Sequence, residues 1–433
     1  MLPSSPSTAC TSRVCKPFCY SFESRESGAG GATVRRFARG GAALTGAAYS
    51  ALVPISALVF LSPAQYGLFS VPYLIYAFGL SLQLSVVTEP WTRRRVGEHV
   101  TAPWREFWTA LSTLAFAVGA AAAVVVAVVL GASGPWWLAA LAVTVALVRN
   151  GARYHDIADG LGARMLVADI SGVAAFVAVV AALYAATDPF TAVLAGWLAS
   201  AFAGLVWTGS RLWRFGSNPA SWVRTHKRHI KPLLADSLLL DAGSIGTPFL
   251  LAPFLGATKF GIYRGIANVS LPVRLILEPL RPSIGGQPPA SVFSRRNIVF
   301  VATTSMTLTI ACFVALTYVI PVIGLQASTL GALTAFAVPA SVFVLANFVG
   351  HYYYIVCRSR GSQRQIITGR LVQAISAIVI PVGGFLAFDL DGAIWGFVAA
   401  SGASALVWAM IAWRAVRHSS PISPPAANEP VSL

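Results

Sequence analysis

The chain has 433 residues, of which 56% are hydrophobic and 11% charged, against roughly 25% charged in a typical soluble domain. So little charge cannot clothe a globular surface, and much of that surface must face lipid. The net charge of +16 does not mark a nucleic-acid binder, because the basic residues recur as short clusters between apolar stretches, the pattern of cytoplasmic membrane loops.

Residues 1–34 read as a disordered cytoplasmic tail. Cys10, Cys15 and Cys19 lie there without the second ligand pair that a zinc site needs. No apolar run before Gly40 is long enough for a signal-peptide core. The strongly patterned sequence begins near Val34-Arg35-Arg36, so the tail is also readable as an artefact of start-codon choice. A spanning helix takes about 20 mostly apolar residues. Gly40 to Thr88 carries no charge and holds two such spans, broken at Ser62-Pro63-Ala64-Gln65. Phe107 to Val148 holds two more, broken at Gly131-Ala132-Ser133-Gly134-Pro135. Met165 to Ser210 holds a third pair around Thr187-Asp188-Pro189. Further spans are expected at roughly 233–256, 261–283, 298–323, 331–355, 366–388 and 392–413.

The predicted fold is therefore an all-α integral membrane protein of about twelve transmembrane helices. It divides into a six-helix lobe at 35–212, a cytoplasmic linker at 213–231, a second six-helix lobe at 232–417 and a disordered tail at 418–433. Arg149, Arg153 and Arg164 fall in one expected inner loop, and Arg358, Arg360, Arg364 and Arg370 around another. This bias of Lys and Arg to alternate loops places both termini in the cytoplasm, with the chain in the inner membrane. Trp91, Trp104 and Trp108 near the inner surface and Trp136 and Trp137 near the outer one fit aromatic belts.

Two segments look alike. Leu61-Ser62-Pro63-Ala64-Gln65-Tyr66-Gly67-Leu68-Phe69 and Leu255-Gly256-Ala257-Thr258-Lys259-Phe260-Gly261-Ile262-Tyr263 both sit at the outer turn after the first helix of a half. Glu89-Pro90 and Glu278-Pro279, each with an arginine close behind, echo one another at the inner ends. Halves of six helices enter the membrane in the same orientation, and parallel repeats place a substrate path between two rocking bundles.

These turns, with the opening hairpin from Ala38-Arg39-Gly40-Gly41 to Arg95, resemble the polysaccharide-flippase branch of the multidrug, oligosaccharidyl-lipid and polysaccharide exporter superfamily. The likeness in topology covers residues 35–417, and the likeness in motif is confined to the turns. What the resemblance implies is two six-helix bundles in a V around a central cavity, a monomer, and transport of a polyprenyl-diphosphate-linked glycan. It also implies polysaccharide synthesis enzymes as partners. The lipid II branch typically has two additional C-terminal helices, so the peptidoglycan precursor is the less expected cargo.

A charge at the centre of a membrane helix costs roughly 2.5–3.5 kcal/mol on insertion scales, so it faces a cavity or a partner. Arg264 and Arg274 are the expected cavity residues, since guanidinium donates paired hydrogen bonds to phosphate. Glu278, four residues after Arg274, shares its helical face and could pair with it. Asp236, Asp241 and Glu89 are the candidates for carrying a coupling proton or sodium ion. Glu89, Asp169, Glu278 and Arg370 are also close enough to helix ends to snorkel. His351-Tyr352-Tyr353-Tyr354 read as interface anchors, with stacking on sugar rings as the functional alternative. No Gly-x4-Gly-Lys-Ser/Thr loop and no His-Glu-x-x-His motif occurs, and the outer loops are too short for a membrane glycan polymerase. A transporter without catalytic residues or cofactor is expected. The rival readings are a drug exporter of similar fold and a membrane scaffold for polysaccharide synthesis.

Overall fold

The computed structural model describes residues 45–46, 48–97, 104–131, 134–207 and 218–418, and these are helical apart from short turns. The two predicted tails and the tail cysteines lie outside the described residues. Among the described residues, eight helical stretches are long and apolar enough to cross a membrane, beside a shorter apolar helix, α1, Ala48–Phe60. The chain is thus a multi-pass membrane protein.

The breaks expected from sequence coincide with caps. Ser62 opens α2 (Pro63–Gln83) with a capping box: its hydroxyl accepts from the Gln65 amide at 3.4 Å, and the Ser62 amide donates to Gln65 Oε1 at 3.2 Å. Pro63 occupies the first turn, where its missing N–H costs nothing. A π-turn, Leu84–Thr88, carries this helix on into α3 (Glu89–Gly97). Next come α4 (Trp104–Leu130), α5 (Trp136–Ala158) and α6 (Gly162–Leu183). Asp188 then caps α7 (Pro189–Val206), accepting from the Phe190 and Thr191 amides at 3.0 and 3.1 Å.

Helix α8 runs from Pro219 to Asp241, capped by Asn218, and a π-turn, Ala242–Gly246, joins it to α9 (Thr247–Val269). Residues 219–231, expected within the linker, are therefore the first half of a helix. Inside α9, Gly256 has φ 68° and ψ 167°, a conformation open to glycine alone at little cost. It makes the turn expected within residues 255–263. The chain continues through α10 (Leu271–Gly285), α11 (Pro289–Val292), α12 (Arg295–Val314), α13 (Ile320–Val322), α14 (Thr329–Ala332) and α15 (Ala337–Arg360). The last helix, α16 (Gln363–His418), breaks at Phe388 and Asp389. Its two arms close on each other where Gly384 and Gly392 meet backbone to backbone.

Helices α2 to α7 pack mainly on one another, as do α9 to α16. The two groups meet along α2 and α9. There the two copies of the turn motif lie face to face. A methyl group on Gly67 would fall on the carbonyl oxygen of Ala257, and one on Gly261 on the carbonyl oxygen of Pro63. Thr329 adds its amide and hydroxyl to the Leu61 carbonyl, at 2.7 and 2.9 Å. This end of the molecule is sealed backbone to backbone.

At the opposite, basic end α8 links the groups. Ser237 shares a 2.5 Å hydrogen bond with Ser85 of the first π-turn, and Trp222 donates to the Val86 carbonyl at 2.9 Å. Fifteen residues of helix separate Ser237 from Trp222, about 22 Å at 1.5 Å per residue. Asp241 lies beside Ser81 and Ser237 beside Ser85, so the second half of α8 runs antiparallel along α2, while Trp222 brings the first half against the π-turn Leu84–Thr88.

Three expectations about side chains change. Arg149 and Arg153 are not in a loop: α5 continues past Val148 to Ala158 and carries both inward. An apolar window stops at an arginine, but a helix does not when a buried partner receives the charge. Trp91 and Trp108 are buried rather than belt residues, whereas Trp137 is exposed. Tyr352, Tyr353 and Tyr354 are also buried, packed in the core between α10, α12, α15 and α16 rather than anchoring an interface.

Candidate functional site

The α2 side of the junction presents Tyr66, Phe69, Tyr73 and Tyr76, spaced three, four and three residues apart and so on one helical face. Trp197 of α7 backs this row, edge-on to Tyr76 at 5.3 Å and tilted to Tyr73 at 6.0 Å. The second group offers Arg264 and Asn268 from α9 and Arg274 from α10. Asn268 donates to the Tyr66 hydroxyl at 2.5 Å, tying the two groups together. Arg264 is buried, with 8% of its surface exposed, and its Nε has no hydrogen-bond acceptor. Tyr66, Tyr263, Tyr73 and Arg274 stand within electrostatic reach of it. Arg274 is exposed and stands within electrostatic reach of Tyr73. The structure therefore brings the two expected cavity arginines together, beside tyrosines that sequence reasoning passed over. Tyrosine hydroxyls and guanidinium groups without a paired carboxylate form a donor-rich, positive surface suited to an anion.

The expected Arg274–Glu278 pair does not form. Glu278 turns to Arg281 at 3.2 Å and to His351 at 3.4 Å, which leaves Arg274 without an ion pair among the described residues. The charged edge of α10 holding Glu278 and Arg281 stands within electrostatic reach of Tyr154 on α5, while α10 packs mainly on α15.

The three coupling candidates are dispersed. Glu89 joins the two groups, 3.5 Å from Arg93 and 3.6 Å from Arg358 of α15. Arg358 in turn donates to the Tyr354 hydroxyl at 2.9 Å. Asp236 lies 3.4 Å from Arg370 of α16. That guanidinium is buried, 4.1 Å from the Tyr354 ring centroid and 3.0 Å from Gln373 Oε1, so Arg370 does not snorkel. Asp241 is buried beside Ser81 of α2, and its Oδ2 has no hydrogen-bond donor. Of the three, Asp241 alone is a buried carboxylate without an ion pair. Because Glu89 and Arg358 are partly exposed, water screens their attraction. Glu89→Gln should lower stability by less than about 1 kcal/mol, read as the shift in the detergent unfolding midpoint.

One charged cluster was missed from sequence. Asp169 of α6 is fully buried and pairs with Arg149 of α5, with Arg153 Nε 3.4 Å from its other oxygen. The Arg149 guanidinium also lies 3.5 Å over the Tyr49 ring. Asp169 therefore does not snorkel either. The available signal was the four-residue spacing of Arg149 and Arg153, together with an aspartate inside an otherwise apolar span that must find a partner.

The sequence matches no family model and no curated protein. Solved structures resemble it over most of their length. An inward-facing structure of a multidrug resistance MATE family transporter of the MOP superfamily superposes with TM-score 0.57 at 15% identity, covering 86% of this chain and 96% of that one. An outward-facing structure of such a transporter gives 0.52 at 15% identity, with 90% and 97% covered. A MOP superfamily transporter from Pyrococcus furiosus, described as having reverse polarity of its binding pocket, gives 0.54 at 13% identity, with 88% and 95% covered. The fold of this chain is that of the MATE transporters of the MOP superfamily.

Proposed function

We propose that this chain is an alternating-access transporter that moves a lipid-linked oligosaccharide or polysaccharide precursor across the cytoplasmic membrane. In this reading α1, α5 and the long helical stretches, divided at Gly256 and at Phe388–Asp389, make twelve crossings in two lobes of six. The basic end lies in the cytoplasm, and the sealed turn end faces outward. The cargo enters between the lobes from the basic side, and release requires the glycine-packed seal to part.

The observation that carries this reading is Arg264, a buried guanidinium at the junction of the groups with no carboxylate partner among the described residues. A lone buried cation is costly in a membrane, and an anionic head group would supply the missing charge. Cationic drugs call for the opposite polarity. The reverse-polarity pocket described for the Pyrococcus furiosus transporter gives a precedent for pocket charge marking a change of function on this fold. The tyrosine and tryptophan faces beside the arginines suit sugar rings or a prenyl chain. The reading assigns no catalytic role to any residue. It makes Asp241 the first residue to examine for proton or sodium coupling. It implies a monomer that receives its cargo from polysaccharide synthesis enzymes.

Deleting the gene and analysing lipid extracts by mass spectrometry tests the cargo. Accumulation of a polyprenyl-diphosphate glycan with loss of a surface polysaccharide is the expected result. Unchanged lipids with a normal surface would transfer the weight to drug export. In the complemented strain, Arg264→Gln with Arg274→Gln should cut transport at least tenfold at normal protein levels, since a hydrogen bond to a charged group contributes about 1.5–3 kcal/mol.

A further inference from the structure

The first half of α8 has two faces. Trp222, His226 and Ile230, four residues apart, are buried. Trp222 grips the Val86 carbonyl, stacks on His226 with ring centroids 3.9 Å apart, and meets Phe107 of α4 edge-on at 6.5 Å. Arg224, Lys227, Arg228 and Lys231 follow the i, i+3, i+4, i+7 spacing of the opposite face and are exposed. None of the four makes an ion pair among the described residues, and no acidic residue occurs between Pro219 and Asp236. This segment packs against the π-turn Leu84–Thr88 and α4, at the end where the other basic clusters lie.

We infer that residues 219–231 form a surface helix that holds the head groups of anionic membrane lipids with Arg224, Lys227, Arg228 and Lys231. An amphipathic helix lying in the interface with a basic outer face is attracted to anionic lipid, by roughly fivefold in local concentration for each basic residue near the surface. The buried tryptophan–histidine face fixes the orientation, so the four charges point the same way without further ordering. The same helix continues through the π-turn Ala242–Gly246 into α9 of the second group. A lipid-held first half therefore gives the second group a fixed pivot near Pro232, where the helix lacks one backbone donor. This surface is separate from the Arg264 site and does not depend on the cargo assigned to it.

The test uses the full chain in phosphatidylcholine vesicles containing a minor fraction of phosphatidylglycerol with a photoreactive head group. Adducts are mapped by peptide mass spectrometry. Labelling concentrated in residues 219–231 is expected. It should fall at least tenfold in the quadruple variant R224Q/K227Q/R228Q/K231Q, but not in R414Q/R417Q, which removes two basic residues elsewhere. All four positions are exposed, and an unchanged melting temperature certifies that the quadruple variant is folded. Equal labelling of 219–231 in wild type and quadruple variant would overturn the inference. So would equal labelling by a phosphatidylcholine probe, which would show contact without charge selection.

Discussion

Replacing Gly261 by alanine should shift the turn end toward its open state while leaving the protein folded. The added methyl would strike the Pro63 carbonyl oxygen and crowd the Gly67 amide. These are backbone atoms held by capped helices, so they cannot yield as a side chain tip can. Overpacking of this kind costs about 1–3 kcal/mol. Here the cost bears only on the state in which α2 and α9 touch, and separating the helices removes it. The equilibrium should therefore move about 5- to 150-fold toward the open turn end. Thr329, fully buried at the seal, offers the reporter. In a background without native cysteines, Thr329→Cys should resist a membrane-impermeant maleimide, and adding Gly261→Ala should expose it. Gly67→Ala, striking the Ala257 carbonyl from the other side, should act in the same direction. Unchanged labelling in both would mean that the seal is not a closed state of the working protein.

The second large effect concerns stability. Asp169→Ala should destabilise the protein by about 3–5 kcal/mol, the penalty for stripping one partner from a buried ion pair. Two guanidiniums, Arg149 and Arg153, would then face each other across an apolar interior with the carboxylate gone. Replacing Arg149 and Asp169 together by apolar residues of similar volume should restore much of the loss, because the desolvation cost of both charges goes with them. Thermal unfolding in detergent reads both results. A single variant that melted like wild type would show that water reaches the cluster.

Much of the chain's plan was legible without coordinates. Apolar runs, and the Ser62-x-x-Gln65 and Asp188-Pro189 caps between them, are local signals whose chemistry acts within one turn of helix, so they survive in any tertiary context. Gly256 was readable for the same reason, as a glycine between two helical runs. Arg264 and Arg274 could be singled out because a charge in an apolar helix demands an explanation. Helix ends that lie beyond the apolar runs were less legible: α5 runs on through Arg149, and α8 starts at Pro219. In both cases a distant partner, Asp169 for the arginine and the Val86 carbonyl for Trp222, makes helix favourable where local polarity argued for loop.

Sequence by itself determined that this is an all-helical membrane chain, where its principal turns fall, and which charges are out of place in lipid. Those follow from transfer energies and capping, which depend on a residue and its near neighbours. Only the tertiary structure decided which of those charges are neutralised. It set Asp169 against Arg149, Asp236 against Arg370 and Glu89 against Arg358, and it left Arg264 buried beside tyrosines. Ion pairing depends on distances of a few ångströms between helices far apart in sequence, and no periodicity along the chain encodes them.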